Sequence, residues 1–341
     1  MDELPVIDVG VLLRPTIGGA TDAREDLEDL AAVAAAIDRA CRHTGFFVVT
    51  GHGVPAAHQA SLDEAARSFF ALPETEKTKI AMAKGGRAWR GWFPEQGELT
   101  AGRPDHKEGL YFGKDLAATD PRVRAGLPLH GPNQYPGAIP ELRVAVDAWM
   151  RDMTALGHGL ARGVALGLGL EPTWFDQHLT EDPTVLFRIF RYPPRPPSDD
   201  GWGVAEHTDY GLLTILAHDG MPGLEVRGPD GWLAVPAVPD TFVVNLGDML
   251  DRMTGGRYRS TPHRVRHAAG SKQAGDRLSF PFFFDPAWDA EIRPIPLTDE
   301  APTDDAGTRW DGASVHEWSG TYGDYLTAKV ARVFPSLGPD L

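Results

Sequence analysis

Beyond residue 184 the chain breaks into short apolar runs, TVLFRIFRY, LLTILAHD, LEVRG, WLAVPAV, TFVVNLGD, HRVRHA and RLSFPFFFD, separated by Gly, Pro and Asp. Runs this short, closely spaced and punctuated by turn residues, fit a barrel or sandwich rather than helices. The first half reads differently. After a strand pattern in LPVIDVGVLL, the apolar residues Leu27, Leu30, Ala34, Ile37 and Cys41 recur at helical spacing over about 22–44, and Gly45 stands where a helix-ending glycine would. FFVVTGHGV reads as a buried strand entering a glycine turn, with His52 a turn residue. Further helices are expected over about 56–71 and 140–170, the second with the stripe Leu142, Val146, Trp149, Met153, Leu156, Leu160 and Val164. The stretch 83–136 is rich in Gly and Pro, too long for a connector, and is expected to wrap the core and line a pocket. A last helix is expected near YGDYLTAKVARVF. The expectation is a mainly β protein with flanking helices, one compact unit over 1–341: a helix-rich part at 1–180, a β core at 181–290, and a C-terminal segment with its closing helix at 291–341.

Charge narrows the partners. A net charge of −15 without any Lys/Arg cluster argues against nucleic acid and against an anionic membrane surface. The same balance favours a neutral or cationic small molecule, although surface charge says little about a buried pocket. One cysteine, Cys41, excludes an intrachain disulfide and a cysteine zinc ribbon, and at its helical position it reads as a buried filler. MDELPVIDVG lacks the basic and apolar regions of a secretory signal, and no apolar stretch reaches membrane-spanning length, so a cytoplasmic location is expected.

The chemistry sits in AEHTDYGLLTIL, where His207 and Asp209 stand two positions apart before an apolar run. On a strand they would share a face, as a hydrogen-bonded pair or as two-thirds of a metal site. RSTPHRVRH supplies His263 on another expected strand. Two histidines and a carboxylate can occupy one face of an octahedral metal and leave the other positions open, as in non-haem Fe(II) oxygenases. In RLSFPFFFD, Arg277 and Ser279 are again two apart. An inward arginine among phenylalanines is costly unless an anion pairs with it. Guanidinium takes a carboxylate bidentately and the hydroxyl adds a hydrogen bond. A dicarboxylate such as 2-oxoglutarate could chelate iron at one end and reach this pair at the other; a structural ion pair is the competing reading of Arg277.

With these residues the chain resembles the iron(II)- and 2-oxoglutarate-dependent dioxygenases, in the branch that looks like isopenicillin N synthase and the plant flavonoid and hormone oxygenases. ACRHTGFFVVTGHGV is similar to that family's N-terminal signature, and HTDYGLLTIL, NLGDMLDRMTGGRYRSTPHRV and RLSFPFFF to its catalytic core, in order and spacing. The resemblance implies a double-stranded β-helix, or jelly roll, flanked by helices. It implies His207, Asp209 and His263 as iron ligands, Arg277 and Ser279 as the clamp on the distal carboxylate of 2-oxoglutarate, and Tyr192 as a further hydrogen-bond partner of that co-substrate. Where the family usually reads Asn-Tyr-Tyr-Pro-Pro, this chain reads Phe190-Arg191-Tyr192-Pro193-Pro194, which opens the question of what Arg191 does. Asn245, before the Gly-Asp turn, is either a partner of a ligand or a plain strand-end amide. GELTAGRPDHKEGLYFGKDL is similar to a segment of bacterial members, and a composition rich in Gly, Ala, Pro and Arg is that of a high-GC bacterium with a role in specialised metabolism.

The implied activity is oxidation of an unactivated C–H bond of a small molecule, hydroxylation first, with Fe(II), 2-oxoglutarate and O2 consumed and succinate and CO2 released. Candidate substrate-pocket residues are Tyr111, Phe112, Arg188, Tyr210 and Phe283, each equally readable as core packing. Two alternatives stand beside this reading. One is an Fe(II)/O2 oxidase of the isopenicillin N synthase type, without 2-oxoglutarate, in which Arg277 and Ser279 bind a substrate carboxylate. The other is a zinc hydrolase or a metal-binding protein that is not an enzyme.

Overall fold

The structure is a computed structural model that describes residues 3–14, 22–100, 102–194, 202–266, 275–297, 306–309, 312, 314–316 and 319–333. Fourteen strands are present among them: β1 (Val6–Asp8), β2 (Phe46–Thr50), β3 (Gly91–Phe93), β4 (Leu99–Thr100), β5 (Arg103–Pro104), β6 (Glu108–Gly113), β7 (Thr184–Tyr192), β8 (Trp202–His207), β9 (Leu213–His218), β10 (Leu224–Gly228), β11 (Gly231–Ala234), β12 (Phe242–Leu246), β13 (His263–Arg266) and β14 (Arg277–Asp285). The larger sheet runs β1-β2-β12-β9-β14-β7-β6-β3 and the smaller β11-β10-β13-β8, while β4 and β5 form a separate hairpin. Every pairing between named strands is antiparallel except β1 with β2. Two facing, mostly antiparallel sheets with helices on the outside make the jelly roll.

Period-2 alternation explains which residues look inward. On β7, Leu186, Arg188, Phe190 and Tyr192 face the cavity between the sheets, while Phe187 and Ile189 between them are fully buried in the core behind. On β14 the inward set is Arg277, Ser279, Pro281, Phe283 and Asp285, with Phe280, Phe282 and Phe284 on the other face. That outer face is covered by the long helix Glu141–Gly167, which packs against β14 and β9 and buries all seven residues of its expected stripe. The helices Asp22–His43 and Ala56–Phe70 pack on the long helix in turn.

The first helix ends as its sequence indicates. Gly45 takes φ +65° and its N–H bonds to Ala40, and a Cβ there would lie 2.1 Å from the Arg259 carbonyl oxygen. Cys41 is fully buried, whereas Leu27, on the same spacing but near the other end of the helix, is 65% exposed. His52 lies in the turn as expected, accepts the Val54 N–H and stacks on Phe242 at 4.0 Å. The long helix ends at Gly167, three residues before the expected end near 170, and keeps its whole stripe. The largest departure is local to the site: β8 stops at His207 and the chain turns before β9 begins at Leu213, so His207 and Asp209 are not on one strand. The last two residues of HRVRHA and Phe334 lie outside the described residues. The first 113 residues do more than supply helices, because β1, β2, β3 and β6 extend the larger sheet on both sides of the core strands.

Candidate metal centre and its cavity

His207 ends β8 and His263 begins β13, and the two are direct partners across the antiparallel pair, with ring centroids 4.2 Å apart. Asp209 enters from the turn after β8. The ligating atoms of the three lie within 4.8 Å of one another. His207 Nε2 is 3.9 Å from Asp209 Oδ1, and His263 Nε2 is 3.8 Å from Asp209 Oδ2. Each imidazole turns its Nδ1 to a backbone carbonyl, Ala205 O at 2.8 Å and Thr261 O at 3.2 Å. An Nδ1–H donated there fixes the tautomer that leaves the Nε2 lone pair free for a cation. Burial pushes both imidazoles below their ordinary range, and His207 beside it helps bring His263 to about 4, so both stand neutral. Burial works against ionisation of Asp209, but the histidines, Asn245 and Thr214 hold its carboxyl below the usual range. Three ionisation states suited to a divalent cation are thus built in before any metal arrives.

Asp209 is held from behind. Asn245 Nδ2 donates to Oδ2 at 2.7 Å and Thr214 Oγ1 donates to the same oxygen at 2.6 Å. Asn245 is therefore a partner of the carboxylate, not a plain strand-end amide. Thr214 carries no sequence signal of its own; its place on β9, paired with Asn245 across β12, puts both donors on one oxygen.

A cavity of about 370 Å³ opens on the triad and is lined by the inward residues of both sheets. Arg277, Ser279 and Tyr192 all line it. Arg277 is 8% exposed, and its buried Nε and one terminal nitrogen have no hydrogen-bond partner; its guanidinium lies 4.8 Å from the centre of the Tyr192 ring. An arginine left in this state is the environment that an incoming carboxylate would complete, so the donor set and the orphaned N–H groups both fit iron with a dicarboxylate. The structural ion pair that competed for Arg277 is not formed among the described residues.

Of the pocket candidates, Arg188, Tyr210 and Phe283 line the cavity. Tyr111 sits one layer behind, its ring 4.2 Å under the Arg188 guanidinium and its hydroxyl donating to Glu98 at 2.5 Å. Phe112 does not reach the cavity: it is fully buried on the opposite face of β6, stacked with Tyr135 and Phe187. Arg191 also points away, pairing with Glu108 and with Asp276 at 2.7 Å. Sequence reasoning missed Glu98 and Lys107, which line the cavity from the Gly/Pro-rich stretch and pair at 2.8 Å, with Asp105 on the far side of the ammonium. It also missed Asp285, which accepts the Leu212 N–H at 3.1 Å and the Tyr322 hydroxyl at 2.6 Å. Tyr322, Leu326, Lys329 and Arg332, from the helix Tyr322–Val333, complete the wall.

Residues 4–138 match the family described as the N-terminal region of the non-haem dioxygenase in morphine synthesis, and residues 182–286 match the 2OG-Fe(II) oxygenase superfamily. A protein of Dictyostelium discoideum described as a probable iron/ascorbate oxidoreductase is 39% identical, over 99% of this chain and 96% of its own. A 2-oxoglutarate-dependent dioxygenase of Monascus ruber is 35% identical over 90% of each chain. Among solved structures, the rice dioxygenase for auxin oxidation superposes with a TM-score of 0.69 at 28% identity, covering 99% of both chains. No helix among the described residues is long and apolar enough to cross a membrane.

Proposed function

The chain belongs to the 2OG-Fe(II) oxygenase superfamily, and on that footing we propose that His207, Asp209 and His263 hold Fe(II) while Arg277, Ser279 and Tyr192 hold 2-oxoglutarate. The enzyme is a 2-oxoglutarate-dependent dioxygenase. Together Fe(II), 2-oxoglutarate and O2 supply the oxidation of an unactivated C–H bond, releasing succinate and CO2; hydroxylation of a small molecule is the outcome we assign.

The chain's residues do the rest. Neutral imidazoles at 207 and 263 present Nε2, and Asp209 presents Oδ1 while Asn245 and Thr214 occupy its other oxygen. Arg277 and Ser279 orient a distal carboxylate, with the Tyr192 ring against the guanidinium limiting its swing. Phe46, Leu186, Phe190, Val204, Leu216 and Val265 give the cavity the apolar surface that helps exclude water from the reacting C–H bond.

The observation that carries this reading is the buried Arg277 with unpartnered N–H groups in the same cavity as the triad. It is tested by anaerobic titration of the Fe(II)-loaded protein with 2-oxoglutarate, following the weak visible charge-transfer band. A saturable band that is lost or strongly weakened in Arg277→Ala is expected. Iron demonstrably bound with no band would replace this reading with that of an oxidase whose arginine awaits a substrate carboxylate.

A further inference from the structure

We propose that the substrate is a small organic monocarboxylate and that Arg188 is the residue that reads its charge. The proposal rests on the oxygenase reading above for the identity of the cavity, and on Arg188 itself for the rest. Arg188 stands on the inner face of β7, directly across from Tyr111 on β6. Its guanidinium carbon lies 4.2 Å from the centre of the Tyr111 ring and 4.8 Å from that of Phe283. These two cation–π contacts hold the group against the cavity wall and use none of its N–H donors.

No protein group takes those donors. Arg188 makes no hydrogen bond among the described residues, its Nε is buried without a partner, and its one ion-pair contact is Glu98 at 3.6 Å, beyond hydrogen-bond reach. Glu98 is already engaged: one oxygen accepts from the Tyr111 hydroxyl at 2.5 Å and the other meets Lys107 at 2.8 Å. Of the other acids that line the cavity, Asp209 belongs to the triad, Asp285 is capped by Leu212 and Tyr322, and Glu206 forms no ion pair with Arg188. Lys107 is held by Glu98 and Asp105, and Lys329 by Asp248 at 3.0 Å. With Arg277 assigned to the co-substrate, Arg188 is the buried cationic group of this cavity whose donors have no acceptor. One such fork matches one carboxylate, and its inward neighbours Leu186 and Phe190 on β7, with Phe283 on β14, favour a ligand whose remainder is uncharged. The overall charge of −15 favoured a neutral or cationic substrate; the proposal departs from that expectation because it rests on the cavity and not on the surface.

The test uses matched pairs of acids and their primary amides, hydrocinnamate, cinnamate and decanoate each against its carboxamide. Binding to the anaerobic Fe(II)·2-oxoglutarate protein is followed by calorimetry and ligand-observed NMR. Wild-type protein is expected to bind the acids at least tenfold more tightly than the amides, as a charge-assisted bidentate contact requires. In Arg188→Met that preference should fall to within about twofold while the 2-oxoglutarate titration stays unchanged, and Arg188→Lys should retain part of it. Amides that bind as well as acids, no acid binding, or a preference that survives Arg188→Met would overturn the proposal. So would a 2-oxoglutarate affinity as damaged by Arg188→Met as by Arg277→Ala, because Arg188 would then serve the co-substrate. A wild-type protein that shows the acid preference but no charge-transfer band would leave Arg188 as assigned and sink the co-substrate reading instead.

Discussion

Asp209 has one carboxylate oxygen taking two donors from Asn245 and Thr214, and that asymmetry is what aims it. Removing either donor should cost metal affinity more than fold. Asn245→Ala and Thr214→Val are each expected to weaken Fe(II) binding by roughly 10- to 100-fold, as partners of metal ligands usually do; anaerobic Fe(II) titration checks this, and unchanged affinity would make both residues merely structural. A second residue-scale prediction concerns Asp285, which is 2% exposed and pushed up to about 7, chiefly by burial. Below about pH 4 this carboxyl is protonated in folded and unfolded chain alike and contributes no pH dependence. Above that, the unfolded chain ionises first, so stability is lost as pH rises from about 4 through 7, by an amount on the order of a few kcal/mol. Asp285→Asn should flatten that slope and raise the melting temperature at pH 8; a pH–stability profile identical to wild type would contradict it. At this scale the sequence was readable where spacing encodes chemistry. His207, Asp209, His263, Arg277 and Ser279 could be picked by interval, but Tyr111 and Phe112 could not be told apart, because adjacent strand residues face opposite ways and nothing in GLYFG marks which faces in.

At the scale of elements, the cavity is a product of alternation on β7 and β14, and of a turn where a strand was expected. The turn between His207 and Leu213 contains Gly211, where a Cβ would lie 1.4 Å from Asp285 Oδ1. Only a bare Cα lets the Asp285 carboxylate come up under the turn and accept the Leu212 N–H. Gly211→Ala is therefore expected to destabilise the protein by about 1–3 kcal/mol or more, as overpacking does, and to loosen the iron site with it. Thermal unfolding checks this, and the double variant Gly211→Ala/Asp285→Ala should recover part of the loss. The alternation of hydrophobic residues made the strands and the long helix legible, whereas the pair Glu98–Lys107 was not. It lies in a stretch without period, and its partners Tyr111 and Arg188 come together only through the β6–β7 pairing.

Across the whole molecule, the net charge of −15 averages over a surface that the substrate does not meet, so it carries little information about the pocket. The class of fold, by contrast, was written across the second half of the chain, since each sheet strand from β7 to β14 except β8 corresponds to one short apolar run. Metal and co-substrate bind only the folded chain, so Fe(II) with 2-oxoglutarate at about a hundred times its dissociation constant should add about 2.7 kcal/mol, and stripping iron with a chelator should lower the melting temperature by several degrees. A melting curve indifferent to chelator would mean that the triad holds no metal. The helix Tyr322–Val333 ties the ensemble together: Tyr322 bonds Asp285, while Tyr325 and Lys329 bond Asp248, whose own N–H bonds the Asp209 carbonyl. In order of synthesis the triad residues 207, 209 and 263 and most of the cavity wall come first, and the helix that completes the enclosure comes last, so a chain cut short before residue 322 would keep the three side chains of the triad but leave their cavity open on one side.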